Sequence, residues 1–371
     1  MKVGLVCPYN IFGGGGVQEV VLALQAELSK RGHDAKIITP LHRNFRDSHL
    51  NGTIFIGTST DVKSLFNTTA QVSVSLNTDE IDSMLAREQF DLLHFHEPWV
   101  PIMSRQLLLR SKAKNIATFH AKLPESYVAK TIERVITPYT RSVLRRLDKL
   151  TAVSDAAAEY VRTLTPKSIN IIPNGINLGK YKVTAKNPTK HKTILYVGRL
   201  EKRKGVKYLL NAFNLLANNY PSYKLIIAGA GPEKDKLEDY AASLNLDGVS
   251  FKGYVNETEK LKLLAKADLF CAPALFGESF GIVLLEAMAS GVVIVAGNNS
   301  GYTSVLRGKG ALSIVNPKDS AEFARRLELL LNDETMRNVW KMWAKDYVKQ
   351  FDYKKVATQY ETLYLQSLGS S

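Results

Sequence analysis

The sequence predicts an α/β protein of two doubly wound domains, each a parallel sheet with helices on both faces, facing one another across a cleft. Three observations carry this. The chain has 371 residues, more than the ~250–300 at which one hydrophobic core stops growing. Short β-branched apolar runs alternate with segments of helical periodicity, which is the β-α-β rhythm of a parallel sheet. That rhythm halts at a turn-rich stretch from Pro173 to Lys192 and starts again at Thr193, which puts a linker near the middle. The expected domains are residues 1–178 and 179–350. A helical segment, 351–371, is expected to pack back on the first.

In the first half, Lys2–Cys7 reads as a buried strand. A glycine loop follows, then a helix over about 17–31 with apolar residues at 17, 20, 21, 24 and 28, the spacing of one helical face. Gly32 supplies its stop, and Asp34–Thr39 is the next strand. Further strands are predicted near 91–95, 115–119 and 149–153, with helices near 79–88, 99–111 and 126–147. In the second half the strands are Thr193–Val197, Tyr223–Ala228, Val249–Lys252, Leu269–Ala272 and Val292–Ala296. Helices are predicted over Val206–Asn218, over Gly281–Ser290, and from about Asp319 onward. Open sheets of this kind bind ligands at the carboxyl ends of their strands.

Composition narrows the function classes. Cys7 and Cys271 both lie in apolar runs, which suggests no disulfide framework and fits a reducing cytoplasm. The apolar run Val3–Cys7 is too short for a signal-peptide core. Phe280–Ala296, the nearest approach to a membrane span, is broken by Glu286 and two glycines. The formal charge of +14 favours anionic partners. Between Pro101 and Lys149, eleven Lys and Arg face three acids, so the excess falls in the first domain. Arg141, Arg145 and Arg146 lie on one predicted helix. The plain reading is a solvated basic face, and the sharper one a docking surface for anionic lipid. Nucleic acid is not expected as a partner, because interleaved aromatics and any recognition motif are missing.

Four groups of residues stand out for chemistry. Gly13-Gly14-Gly15-Gly16-Val17 follows the first strand and opens a helix, where backbone N–H groups favour an anion. Gln18 breaks the glycine spacing of a dinucleotide loop, and Thr39-Pro40 stands where its acid would be. A tight turn and an anion- or sugar-contacting loop both remain open. Gly198-Arg199 ends a strand, and Lys202, Arg203, Lys204 and Gly205 lead into a helix; these cations suit a diphosphate, or form a basic loop in solvent. Phe276-Gly277-Glu278-Ser279-Phe280-Gly281 precedes a helix that contains Glu286. Such paired acids serve as glycosidase acid and base, as acceptors for sugar hydroxyls, or as a helix cap. Finally, His94-Phe95-His96-Glu97 puts two imidazoles on one face of a strand, and His120 ends another. Metal ligation needs further ligands that do not follow at local spacing, so these read as structural or cleft histidines. His120 is expected at the cleft and not in the core.

On these residues the chain resembles glycosyltransferase family 4 along nearly its whole length. The ordered matches include Gly15-Gly16-Val17-Gln18, His94-Phe95-His96-Glu97-Pro98, Ala117-Thr118-Phe119-His120, Ile172-Pro173-Asn174-Gly175, Gly198-Arg199, Lys204-Gly205, Gly229-Ala230-Gly231 and Gly277-Glu278-Ser279-Phe280-Gly281 through to Glu286. The resemblance implies a GT-B fold of two Rossmann-like domains, with the donor mainly on the second and the acceptor on the first. It implies a retaining hexosyltransferase whose catalytic residues are His120, Glu278, Arg199 and Lys204. Donor contacts would come from Gly15, Gly16, Arg199, Lys204, Gly229, Glu278, Ser279, Phe280, Gly281, Ile282 and Glu286. Glu286 would hold the ribose, Arg199 and Lys204 the diphosphate, and Glu278 the sugar. Tyr9, Gln18 and His120 would meet the acceptor. The substrate would be a GDP- or UDP-linked sugar, with no cofactor. Asp-x-Asp is lacking from the sequence, so no metal is expected, cations and helix dipoles taking its part.

The expected reaction moves mannose from GDP-mannose to a lipid-linked or inositol-type acceptor in glycolipid synthesis, by a cytoplasmic enzyme peripheral on the inner face of the membrane. The alternatives are a UDP-sugar donor with a soluble or polysaccharide acceptor, and an inactive sugar-binding module. The intact set of Glu278, Glu286, Arg199, Lys204 and His120 argues against the last. The chain departs from the mannosyltransferase members at Ala121-Lys122-Leu123-Pro124-Glu125 and at Asp79-Glu80-Ile81-Asp82-Ser83-Met84, segments that concern acceptor and membrane.

Overall fold

A computed structural model describes residues 1–13, 15–42, 51–63, 69–75, 77–122, 137–181 and 191–369. They form two units, Met1–Gly175 with Tyr353–Ser371, and Ile176–Asp352.

The first unit begins with β1 (Lys2–Val6), α1 (Gly16–Lys30) and β2 (Asp34–His42). A ribbon of β3 (Thr53–Lys63) and β4 (Thr69–Ser75) follows. Then come α2 (Thr78–Glu88), β5 (Leu92–His96), α3 (Met103–Arg110) and β6 (Lys114–Phe119). A helix α4 covers 137–145, and β7 (Lys149–Ala152), α5 (Asp155–Arg162) and β8 (Ile169–Ile171) complete the sheet. Among the described residues the order is β4-β3-β2-β1-β5-β6-β7-β8. Every pairing is parallel except β3 with β4.

The core of this unit takes Val21, Leu24 and Leu28 from α1 and Leu5 and Ile37 from the sheet. It also takes Val356, Tyr360 and Tyr364 from α13 (Tyr353–Leu368). Arg31 and His33, at the end of α1, hold Glu361 of that helix at 2.6 and 2.7 Å.

The second unit repeats the plan. Its sheet runs β11-β10-β9-β12-β13-β14 among the described residues, with all pairings parallel. The strands are β9 (Thr193–Val197), β10 (Lys224–Ala228), β11 (Val249–Gly253), β12 (Leu269–Ala272), β13 (Val293–Gly297) and β14 (Ile314–Val315). Between them lie α6 (Val206–Asn219), α7 (Lys234–Ser243), α8 (Glu257–Lys266), α9 (Ile282–Ala289) and α10 (Ser300–Val305). After β14 come α11 (Ser320–Asn332) and α12 (Glu334–Tyr347). Leu209, Phe213 and Leu216 of α6 and Phe323, Leu327 and Leu330 of α11 are buried, as their 3.6-residue spacing requires.

In each sheet the strand order reverses once, between β1 and β5 and between β9 and β12. At such switch points the connections leave in opposite directions and open a crevice at the carboxyl ends.

Several sequence expectations change. The predicted helix at 99–111 starts only at Met103, after Pro101 and a left-handed Ile102 at φ 77°. The helix expected at 126–147 is described only over 137–145, its earlier part lying outside the described residues. The ribbon β3–β4 and the helices α5, α7 and α8 had no counterpart in the sequence reading. Gly14, Leu123, Pro124, Glu125 and residues 182–190 of the expected linker also lie outside the described residues.

Candidate active site

In the second unit the switch point is built from the loops after β9 and β12. Gly198 and Arg199 leave β9, and Lys202–Lys204 form a 3-10 turn that Gly205 passes into α6. Gly229, at the end of β10, lies against this turn. A Cβ there would stand 1.8 Å from the Gly198 carbonyl oxygen, so no side chain fits.

Glu278 comes from the loop after β12. Its Oε1 accepts from Arg203 Nη1 at 2.6 Å and is paired with Lys204 Nζ at 2.7 Å. Arg203 is braced in turn by Glu201 at 2.8 Å. Burial alone would lower the Arg203 guanidinium, but Glu278 and Glu201 outweigh it and hold its pKa above the ordinary value. Arg199 is more open, its side chain 55% exposed and paired with Glu201 only at 3.3 Å. The structure brings both Arg203 and Lys204 onto Glu278, with Arg199 more exposed beside them. Sequence reasoning noted Arg203 without assigning it to Glu278.

Gly281, at φ 105°, opens α9 with no side-chain cap. By contrast Ser154, Asn256, Asn299, Asp319 and Asp333 cap their helices through their side chains. An uncapped first turn leaves backbone N–H groups for an anion. Ser279 and Ile282 flank this turn half-buried. Phe280 turns its ring inward against Phe351, so it reaches a ligand only through its backbone.

Glu286 lies within α9 and is buried. Its Oε1 accepts from Lys260 Nζ at 2.6 Å and from Tyr181 Oη at 3.2 Å. Burial pulls Lys260 down, and the charge of Glu286 more than restores it. The two acids are held by separate cations, Glu278 by Arg203 and Lys204 and Glu286 by Lys260. Lys260 and Tyr181 went unread because they stand far from Glu286 in the sequence.

The first unit presents a different chemistry. Gly15 opens α1, again without a side-chain cap. Gln18 Nε2 donates to the Asn10 carbonyl at 3.4 Å. Tyr9 packs against the core, and burial, with the Glu97 charge nearby, pushes its phenol up.

Along β5, both ring nitrogens of His94 are engaged, Nδ1 with Tyr364 Oη and Nε2 with Thr118 Oγ1, each at 2.6 Å. His96 Nδ1 meets His120 Nε2 at 2.9 Å. Burial lowers all three imidazoles, His94 and His120 to about 3, so they are neutral near pH 7. His120 does lie just past the carboxyl end of β6. Its ring is nevertheless buried against His96, which corrects the expectation that the end of the strand would keep it out of the core. Glu97 is buried beside it, and burial raises its carboxyl to about 7 although N–H groups of His120 and Ala121 and the Trp99 side chain pull the other way. Among the described residues no three His, Cys, Asp or Glu side chains gather as a metal site.

Two Rossmann-like units, the second with cations and carboxylates gathered at its switch point, fit the design of a glycosyltransferase. Comparison with known proteins places the chain within that class. The profile described as Glycosyltransferase Family 4 matches residues 14–180, and that of Glycosyl transferases group 1 matches 180–347. The chain belongs to glycosyltransferase family 4. It is 31% identical to the phosphatidyl-myo-inositol mannosyltransferase of Mycolicibacterium smegmatis, over 98% of this chain and 93% of that protein. It is 30% identical to the glycogen synthase of Mycobacterium tuberculosis, over 74% of this chain and 68% of that one. Among solved structures, a sucrose-phosphate synthase from Thermosynechococcus elongatus superposes with a TM-score of 0.81 at 20% identity, over the whole of both chains. The fold is GT-B.

Proposed function

We propose that the chain transfers mannose, with retention, from GDP-mannose to the inositol ring of a phosphatidylinositol-type lipid, and needs no metal. The supporting observation is the 31% identity that extends over 98% of the chain to a phosphatidyl-myo-inositol mannosyltransferase. In this reading Lys204 and Arg199 neutralise the diphosphate as its bond to the sugar breaks, together with the uncapped first turn of α9. Glu278 accepts from the hydroxyls of the transferred sugar, and Glu286 from those of the ribose. Tyr9, Gln18 and a neutral His120 belong to the acceptor-binding unit. Thermal unfolding with GDP, UDP and ADP tests the donor, since a ligand at 100 times its Kd adds ~2.7 kcal/mol. GDP is expected to raise Tm most, and radiolabelled GDP-mannose with phosphatidylinositol vesicles to yield an α-linked, lipid-soluble product. A shift with UDP alone would refute the donor assignment.

The 30% identity to a glycogen synthase supports a second reading, a UDP- or ADP-sugar donor with a polysaccharide acceptor. Incorporation of label into glycogen and not into lipid would favour it.

The acceptor reading carries a surface with it. Arg141, Arg145 and Arg146 are all exposed, while Val143, Leu144 and Leu147 face inward. Positions four apart share a helix face, and each cation near an anionic bilayer contributes ~1 kcal/mol that salt screens. Among the described residues no helix is long and apolar enough to cross a membrane. Co-sedimentation with phosphatidylglycerol vesicles is expected at low salt, to fade at high salt, and to fall in the triple alanine variant. A wild type that stays in the supernatant at low salt removes this surface from the proposal.

A further inference from the structure

The turn that carries His120 is held by one buried side chain. Glu97 follows β5 directly, and its own N–H donates to the Thr118 carbonyl at 2.9 Å, prolonging the pairing of β5 with β6. Its backbone is left-handed, at φ 52°, a conformation that a residue with a Cβ seldom takes without compensation. The compensation is visible. The side chain curls across the end of β6, and its Oε1 accepts from the N–H of His120 at 2.6 Å and of Ala121 at 2.5 Å. Two successive N–H groups converging on one oxygen form an anion nest, here occupied by a residue of the protein itself. The His120 ring is then steadied by His96 at 2.9 Å. Glu97 itself is 1% exposed.

This arrangement does more than end a strand. Strands β5 and β6 already fix the chain up to Phe119, so the backbone direction at His120 is set by Glu97, and the ring rotation by His96. We infer that Glu97 is the positioning residue for His120, aiming the imidazole by holding the peptide groups on either side of it. The inference rests on the proposed role of His120 as a catalytic group of the acceptor-binding unit. Positioning has a large lever, because a displacement of about 1 Å can cost on the order of 10²-fold in rate.

The test is a cycle of variants, with turnover measured on GDP-mannose and phosphatidylinositol vesicles, or on UDP-glucose if that donor is the one turned over. Glu97→Ala is expected to lower kcat about 10–100-fold and to leave the affinity for the nucleoside diphosphate within about twofold. Glu97→Gln keeps an oxygen able to accept both N–H groups and is expected to restore most of the rate. The Glu97→Ala/His120→Ala double variant is expected to be no slower than His120→Ala alone, since two residues acting as one unit are not additive. Hydrogen exchange at the amides of 120 and 121 should quicken in Glu97→Ala and not in Glu97→Gln. Losses that multiply in the double variant, or a Glu97→Ala enzyme at full rate beside a crippled His120→Ala, overturn the inference alone. A His120→Ala enzyme at full rate overturns the underlying reading instead. Should the alanine variant fail to fold, Glu97→Asp, one methylene too short to reach, takes its place: reduced kcat at unchanged nucleotide affinity supports positioning, and unchanged kcat refutes it.

Discussion

Lys204→Ala is expected to lower kcat on the order of 10²–10³-fold, the effect of removing one preorganised group from a charge that develops in the transition state. The structure gives a second reason for a large loss. Lys204 Nζ lies 2.7 Å from Glu278 Oε1, so the substitution also leaves that carboxylate less neutralised where the diphosphate is proposed to leave. Two like charges 4 Å apart repel by ~4 kcal/mol at an effective dielectric constant of about 20, which outweighs the ~1 kcal/mol typical of an exposed ion pair. Arg199→Ala is expected to lose turnover on the same scale, because its exposed guanidinium is held only by Glu201 at 3.3 Å and can turn to a ligand. Wild-type activity is expected to persist in EDTA if these cations replace a metal. Steady-state kinetics of both variants decide the matter: two normal kcat values would sink the assignment, and activity restored by Mg²⁺ after chelation would sink the metal-free part.

Glu286→Ala is expected to weaken binding of the bare nucleoside diphosphate by roughly 10-fold or more, since hydrogen bonds to a charged group contribute ~1.5–3 kcal/mol. Part of that cost is Lys260, whose ammonium loses the carboxylate 2.6 Å away and stays half-enclosed without it. Glu278→Gln should leave nucleotide affinity nearly unchanged and reduce transfer, because its partners are the cations of the basic turn and its proposed substrate contact is the sugar. Calorimetry on the two variants separates the roles. Equal loss of affinity in both would refute the division.

Much of this architecture could be read from the sequence where each element is locally self-consistent. The strand β1 is a short apolar run stopped by Pro8, the helix α1 carries an apolar face between Gly15 and Gly32, and both lie within a residue or two of the predicted positions. The ribbon β3–β4 carries the segments TIFIGTSTDVK and TAQVSVS. Its threonines and serines suit an edge of the sheet but give little hydrophobic contrast to read. Helix α8 has a complete capping box, Asn256 with Glu259, so its start is written in the sequence. At the site, residues that end strands or open helices were legible because the glycines around them are punctuation. Arg203 with Glu278, Lys260 with Glu286 and Glu97 with the His120 turn were not. Their partners meet only after the strands are ordered side by side, and strand order is not written locally.

The joining of α13 to the first unit has a consequence for how the protein is made. His94 and Thr118, in the middle of that sheet, bond Tyr364 and Tyr360 of this helix, which is separated from β8 by the whole second unit. On a ribosome adding ~5–20 residues per second, strands β1–β8 would therefore wait on the order of ten to forty seconds for the helix that covers them. During that interval the buried imidazole of His94 lacks its tyrosine, and apolar surface on α1 and β1 stands open to water. The second unit needs no such late arrival, because its elements are contiguous. The order of completion is thus the reverse of the order of synthesis: the half made first is finished last, and in the interim it is the half more in need of a chaperone.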